Sequence, residues 1–431
     1  MHKRHVIAFV AVTTALMLVP AAAQGRPDNV DSLKPSRVAS SDPTSKSVPQ
    51  TGRRADAIRE NLTRVKLPPG FKIELYAIVP NARHMAVAPA DDMLFVGTRE
   101  TTVWIVPDPH SGDEDPDEHN MPFEVKAFAP SLNFKGPDGV CFTPDGFLVI
   151  VEHNRILTFS TMEFFDGGPN VTVVAAVPQG QLLPTKDAAS RHSVRACRVG
   201  NDKKLYVVLG QPFNVSPREK LDLYNKYGIG AIIRLGPFDG KGRETFTRGV
   251  RNSAGIEFNL KDNALWFIDN PSGGVGDDIR SGEINRATAA GQLFDDPSIQ
   301  GKARITDNGY DKNATPANAA NPQVSAGVHA DFLGLVFYTG AQFPQKYRGG
   351  LFSVQHGPLS RGAPVGSRLM YTSLKADGTA DKTEVFAEGW FDSKTRRSRG
   401  RPVDVAQLHD GSLLVSDEIA GAIYRIFYAG P

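Results

Sequence analysis

Six stretches of the chain put cationic or imidazole side chains a few residues ahead of an apolar run: Arg83-His84, Lys135 with Asp138, Arg191-His192, Arg251-Asn252, His329 with Asp331, and Arg401. A guanidinium presents a planar fork of donors that matches carboxylates, and imidazole as a side-chain type titrates near neutral pH and serves as a general base. Gathered at one place, these groups would receive an anionic, planar, hydrogen-bonding ligand. A seventh stretch, "DNPSGGVGDD" at 269–278, sets three Asp and three Gly in ten positions directly after the apolar run at 264–268. Such a stretch is either a plain polar turn or a backbone bent around a hard cation, and local sequence leaves both open.

The elements that would have to gather these residues are strands. From about residue 68 the chain consists of short apolar runs broken by Gly, Pro, Asp and Asn. One pattern recurs: an apolar strand, a turn carrying Asp or Asn, then a second strand led by Leu. It stands as "MAVAPADDMLFVG" at 85–97, "GVCFTPDGFLVIV" at 139–151, "ACRVGNDKKLYVV" at 196–208 and "GIEFNLKDNALWFI" at 255–268. A looser copy runs through 334–354, and the last is "VDVAQLHDGSLLVSD" at 403–417. Six unequal repeats at this long period fit radial blades better than a sandwich, so the expected fold is all-β, a six-bladed β-propeller. Terminal strand closure would come from "FKIELYAI" at 71–78 beside "AIYRIFY" at 422–428, which protects both edges. In such a ring the connections entering the inner strands emerge on one face, so the six polar stretches should converge on one mouth. That mouth is expected to carry several Arg and His and few carboxylates.

Composition narrows the classes. The 431 residues carry 49 basic and 47 acidic side chains, a formal charge of +2, so no overall field draws nucleic acid or an anionic membrane. Residues 1–23 combine Lys3 and Arg4, an apolar stretch and Ala21-Ala22-Ala23, which reads as a cleaved export signal and a periplasmic or secreted location. Residues 24–66 read as a flexible leader, and 67–431 as the propeller. No later stretch is apolar enough for a membrane span. Cys141 and Cys197 fall on equivalent strands of neighbouring blades, and whether they pair depends on the fold. P-loop, H-E-x-x-H and G-x-S-x-G motifs are absent. The acidic loop at 113–124 reads as solvated, and Trp104, Trp266 and Trp390 as packing residues.

The motifs "GVRNSAGIEFN" and "ALWFIDNPSGGVGDDIRSGEIN" within 249–285, "LGLVFYTGAQFPQKYRGGLFSVQHG" at 333–357 and "GRPVDVAQLHDGSLLVSDEIAGAIYRI" at 400–426 resemble the soluble pyrroloquinoline quinone (PQQ)-dependent sugar dehydrogenases of the glucose/sorbosone type. The resemblance covers nearly all of 67–431. It implies an enzyme that oxidises a sugar, polyol or aldehyde with PQQ and Ca²⁺, passing electrons to a membrane quinone or a separate carrier. It places His192 as the general base. Arg251, Asn252, His329, Arg361 and Arg401 are implied to hold PQQ, and the main-chain carbonyls of Pro271 and Ser272 to hold Ca²⁺.

The chain departs from the family pattern at three points: Pro-Ser stands in the calcium turn where Gly-Pro is usual, "RNS" stands for "RNP", and "HGPLSR" at 356–361 for "HGSWNR". A non-catalytic exported binding propeller is the alternative these departures suggest. A calcium-dependent hydrolase of the lactonase type is another, and it would need carboxylates and Asn converging on a metal.

Overall fold

The computed structural model describes residues 47–89, 93–108, 124–160, 170–184, 192, 194–213, 216–270, 282–294, 319–325, 331–357, 366–392 and 394–430, with short strands at 37–40, 299–300 and 303–304. Six sheets follow one another in the chain, antiparallel except for the pairing of Glu244–Arg248 with Gln292–Leu293 in the third, and each has a short inner strand. The inner strands are Met85–Val87, Gly139–Phe142, Cys197–Val199, Ile256–Phe258, Phe332–Phe337 and Pro402–Gln407, and we number the blades one to six in that order. Contacts run from each inner strand to the next and from blade six back to blade one, so the sheets form a closed ring. The protein is a six-bladed β-propeller.

Second strands carry most of the core. Leu148–Glu152, Leu205–Leu209, Leu265–Asp269, Leu351–Gln355 and Leu413–Asp417 are buried at every position. A strand sandwiched between neighbouring blades has no solvent face, which is why these segments read as continuous apolar runs rather than alternating ones. Trp266 and Trp390 are buried in the packing, and the Trp104 indole N–H donates to the Pro80 carbonyl.

Closure follows the expected pairing. Phe71–Ile78 lies antiparallel to Ala422–Tyr428 as the outermost strand of blade six, and Arg425 bonds Glu74 across the seam at 3.0 Å. Cys141 and Cys197 form a disulfide between the inner strands of blades two and three, with Cα atoms 5.9 Å apart.

The leader boundary is corrected by the structure. Arg53–Leu62 is a helix that buries Ala55, Ile58 and Leu62, a stripe at helical spacing, in the core shared by blades five and six. Gln50 both accepts from the Ile78 amide and donates to its carbonyl. Farther upstream, Arg37–Ser40 pairs with the outer strand of blade two. Charged residues dominate the helix's exposed face, and by composition alone that outweighed three apolar positions. Residues 1–36 and the acidic loop at 113–123 lie outside the described residues.

At the axis the inner strands approach closely. A Cβ on Gly139 would stand 1.8 Å from the Arg195 carbonyl, and one on Gly334 would stand 1.9 Å from Asp404 Oδ1. Val194, Ala254, Leu333 and Val403, from four blades, pack together there. His84 of blade one reaches the Ala254 carbonyl of blade four, on the opposite side of the ring. The axis is therefore plugged near the ends where the inner strands begin.

Candidate functional site

The face above that plug holds the loops that enter the inner strands, and all four described candidate residues, His192, Arg251, Asn252 and Arg401, sit on it. His329, Arg361, Pro271 and Ser272 lie outside the described residues.

His192 is held at both ring nitrogens. Nδ1 is 2.6 Å from the Gln211 carbonyl, and Nε2 is 3.2 Å from Arg251 Nη2. A carbonyl only accepts, so the Nδ1 side carries the proton and Nε2 carries the lone pair. The contact with Arg251 requires the same assignment, because a guanidinium only donates. Arg251 also donates from Nη1 to the Asn270 carbonyl at 2.7 Å. Asp269 accepts the amide N–H groups of Arg251 and Asn252 at 2.8 and 2.7 Å. Burial pushes the Asp269 carboxyl up to about 6 against those hydrogen bonds. Asn270 ties this corner to blade five by exchanging two bonds with Phe332.

A second cluster occupies the other side of the mouth. Asp138, fully buried, lies 3.1 Å from Arg83 Nε and 2.9 Å from His84 Nδ1, with Arg99 at 3.8 Å. Burial opposes its ionisation, yet Arg83, His84 and Arg99 hold it well below the usual carboxylate range. For His84 burial acts downward, and Asp138 outweighs it to raise the imidazole. Glu418 gathers Arg83, Arg401 Nη1 at 3.1 Å and His356 Nε2 at 3.2 Å. Burial again acts upward on Glu418, but the His356 hydrogen bond and the Arg83 and Arg401 charges bring it down to about 2. Arg401 further donates to the Gly357 carbonyl at 3.0 Å, while its buried Nε has no partner among the described residues.

The mouth thus holds more carboxylate than the sequence reading expects, and this is a second correction. Glu152, Asp269, Asp417 and Glu418 come from the far ends of second strands, which reach the same face because antiparallel neighbours reverse direction. His153 and His356 arrive by the same route. A signal existed in the sequence: the polar pairs "EH", "DN", "QH" and "DE" close four of the five long second strands. Most of these acids are spent on arginines or on backbone amides, so the mouth still offers guanidinium and amide donors. Arg195 is a further cation there. It is fully buried, bonds only the carbonyls of His153, His192 and Val194 among the described residues, and is lowered by burial to about 10.

An anionic planar ligand fits this donor set. Among the described residues the buried Arg401 Nε–H has no partner and the Asn252 side chain makes no hydrogen bond. Whether a cation fits beside it turns on residues 271–281, which lie outside the described residues.

Comparisons with known proteins agree on the architecture. The fold matches a Trichoderma reesei protein of carbohydrate-active enzyme family AA12 with a TM-score of 0.65 at 17% identity, over 85% of this chain and 98% of that one. It matches the PQQ domain of pyranose dehydrogenase from Coprinopsis cinerea, in its holo form, with a TM-score of 0.64 at 12% identity over 89% and 99%. The soluble aldose sugar dehydrogenase of Escherichia coli, in its apo form, gives 0.53 at 17% identity over 83% and 99%. At these identities the likeness shows a shared fold. By sequence, the chain is 33% identical over 252 residues to an uncharacterized protein of Borreliella burgdorferi, a match spanning 57% of this chain and 63% of that relative. No family model matches.

Proposed function

We propose that the protein is an exported quinone-dependent oxidoreductase that oxidises a sugar or a related polyol or aldehyde, with PQQ and Ca²⁺ held at the mouth of the propeller. One observation carries the reading. His192 is fixed by the Gln211 carbonyl so that its proton-accepting nitrogen points toward Arg251, among guanidinium donors suited to a quinone bearing carboxylates.

In this reading Arg251, Asn252 and Arg401 bind and orient the cofactor, with His329 and Arg361 as further contacts, and the carbonyls of Pro271 and Ser272 serve the cation. Bound there, PQQ would supply a two-electron acceptor. With Arg251 Nη2 drawn from His192 onto a bound anion, His192 Nε2 is released to take the proton of the substrate hydroxyl, and the Nδ1 bond to Gln211 stabilises the ring as it becomes charged. Asp269 and Asp417 set the main chain from which the two arginines project. The reoxidising partner would be a membrane quinone or a separate carrier. Among the described residues no helix is long and apolar enough to cross a membrane.

Among the described residues the hydrolase alternative finds no carboxylate cluster at this mouth, because Asp138, Asp269, Asp417 and Glu418 are turned to arginines, imidazoles or amides. A non-catalytic binding propeller remains the rival. Calorimetric titration of the purified chain with PQQ at fixed Ca²⁺, followed by dye reduction with aldoses, sorbosone and alcohols, separates the two. Saturable binding with turnover supports the enzyme, binding without turnover supports the rival, and absence of both removes the redox reading.

A further inference from the structure

The second and third strands of blade three, Leu205–Leu209 and Ala231–Leu235, are joined by a connection that carries a short helix, Leu221–Tyr227. A cavity of about 180 Å³ lies against this helix. Leu221, Ile229 and Leu293 give it an apolar wall, and no acidic side chain lines it among the described residues. Two of its polar side chains present donors that no described residue takes up. Gln211, whose main-chain carbonyl holds His192, is only 6% exposed. Its Oε1 accepts the Ser216 hydroxyl at 2.9 Å, and its Nε2 has no hydrogen-bond partner among the described residues. Arg248 is exposed and donates from Nη1 to Asn225 Oδ1 at 2.9 Å. Among the described residues no carboxylate pairs with it, so the edge formed by its Nε and Nη2 is uncommitted.

We propose that this cavity binds a short-chain aliphatic monocarboxylate, with its carboxylate on Arg248 and Gln211 and its chain against Leu221, Ile229 and Leu293. Three features select that chemistry. Arg248 is the one formal charge among the described lining residues, so a monoanion neutralises it, whereas a dianion leaves an excess. The Nε–Nη2 edge of a guanidinium is a planar fork matched to a carboxylate, and the Gln211 amide adds a donor that only an acceptor satisfies. A neutral amide of the same shape would turn its own N–H groups toward donors. The apolar wall favours a hydrocarbon tail, and a volume below the usual range for ligand pockets keeps that tail short. The site does not depend on the function proposed for the mouth.

The test is calorimetric titration of the full chain at neutral pH with butyrate, butyramide and inorganic phosphate. Saturable binding of butyrate is expected, at least fivefold tighter than either of the others. Arg248→Met, at an exposed position where folding is not at stake, should weaken butyrate at least fivefold. Arg248→Lys, which keeps the charge and loses the fork, should fall between. Gln211→Met removes the amide, leaves the main-chain carbonyl in place and should weaken butyrate at least threefold. Leu293→Phe narrows the apolar end and should weaken butyrate while sparing acetate. No saturable binding, butyramide or phosphate matching butyrate, or butyrate binding indifferent to Arg248→Met would overturn the assignment. The last result would put the carboxylate on the arginines of the mouth. Absence of PQQ binding would leave the assignment untouched, since neither Arg248 nor the apolar wall belongs to the mouth.

Discussion

The Arg401 amide donates to Asp417 Oδ2 at 2.8 Å, and the Arg251 amide makes the same bond, at the same length, with Asp269 Oδ2. In blades four and six alike, the acid that closes the second strand grips the loop entering the inner strand. Each arginine is thereby aimed by its main chain. Glu152 accepts the Lys135 amide at 2.7 Å in the same manner in blade two. The brace recurs in blades two, four and six, whereas the Arg83 amide in blade one bonds the Gly97 carbonyl instead.

Removing the brace should disturb binding before chemistry. Asp269→Ala frees the amides of Arg251 and Asn252, and small misplacements of positioning groups cost on the order of 10–100-fold. PQQ affinity measured by calorimetry is expected to fall by about that factor, with Asp269→Asn, which keeps one acceptor, retaining part of it.

His192→Gln removes the proton acceptor and leaves the arginines in place. General-base loss typically costs about 10²–10⁴-fold. The rate of dye reduction should fall by that order while PQQ affinity changes by less than about threefold, as expected when only a transition-state interaction is lost. Parallel loss of both would assign His192 to binding.

Asp138 is the counter-ion for Arg83 and His84 in a fully buried setting. Breaking such a group from one side costs about 3–5 kcal/mol, because the remaining charges stay buried. Asp138→Ala should lower the urea midpoint accordingly. A change below about 1 kcal/mol would show that the cluster is solvated.

From these two groups, stability should fall on both sides of a maximum near pH 4.5. Glu418 is lowered in the fold to about 2, so its contribution is complete above the ordinary glutamate value of 4.5 and is lost as pH drops from there toward 2. Glu283 is raised by burial and by Asp269 to about 7, so its contribution is complete below 4.5 and is lost as pH rises through 7. Denaturation across pH should show Glu418→Gln flattening the acid limb and Glu283→Gln flattening the neutral limb.

The Cys141–Cys197 bridge closes a loop of 56 residues between neighbouring blades. Its removal by paired Ala substitution should cost about 2–4 kcal/mol. Thiol reductant should lower the thermal midpoint of the parent chain and leave that of the double variant unchanged.

Legibility followed periodicity. Continuous apolar runs such as Leu265–Asp269 and Leu413–Asp417 are dictated by burial on both faces, and six of them at a long period specify a ring with its seam. The residues just ahead of the inner strands were equally readable, because direction along the axis follows from the ring. Residues at the far ends of the second strands were not read, although Glu418 and His356 face the same mouth. The helix Arg53–Leu62 was obscured because its three buried positions sit among charges and depend on a distant core. The cavity against Leu221–Tyr227 left no local trace, since only the fold brings Gln211 and Arg248 to one wall.

The seam between Phe71–Ile78 and Ala422–Tyr428 joins segments some 350 residues apart, as the Arg425–Glu74 bond shows. While the chain is being made, the earlier of these β-segments waits without its neighbour until nearly all the rest has emerged. Completion of the circle is therefore a late event in maturation, and throughout that interval an open, partly apolar border is available to any other extended polypeptide nearby.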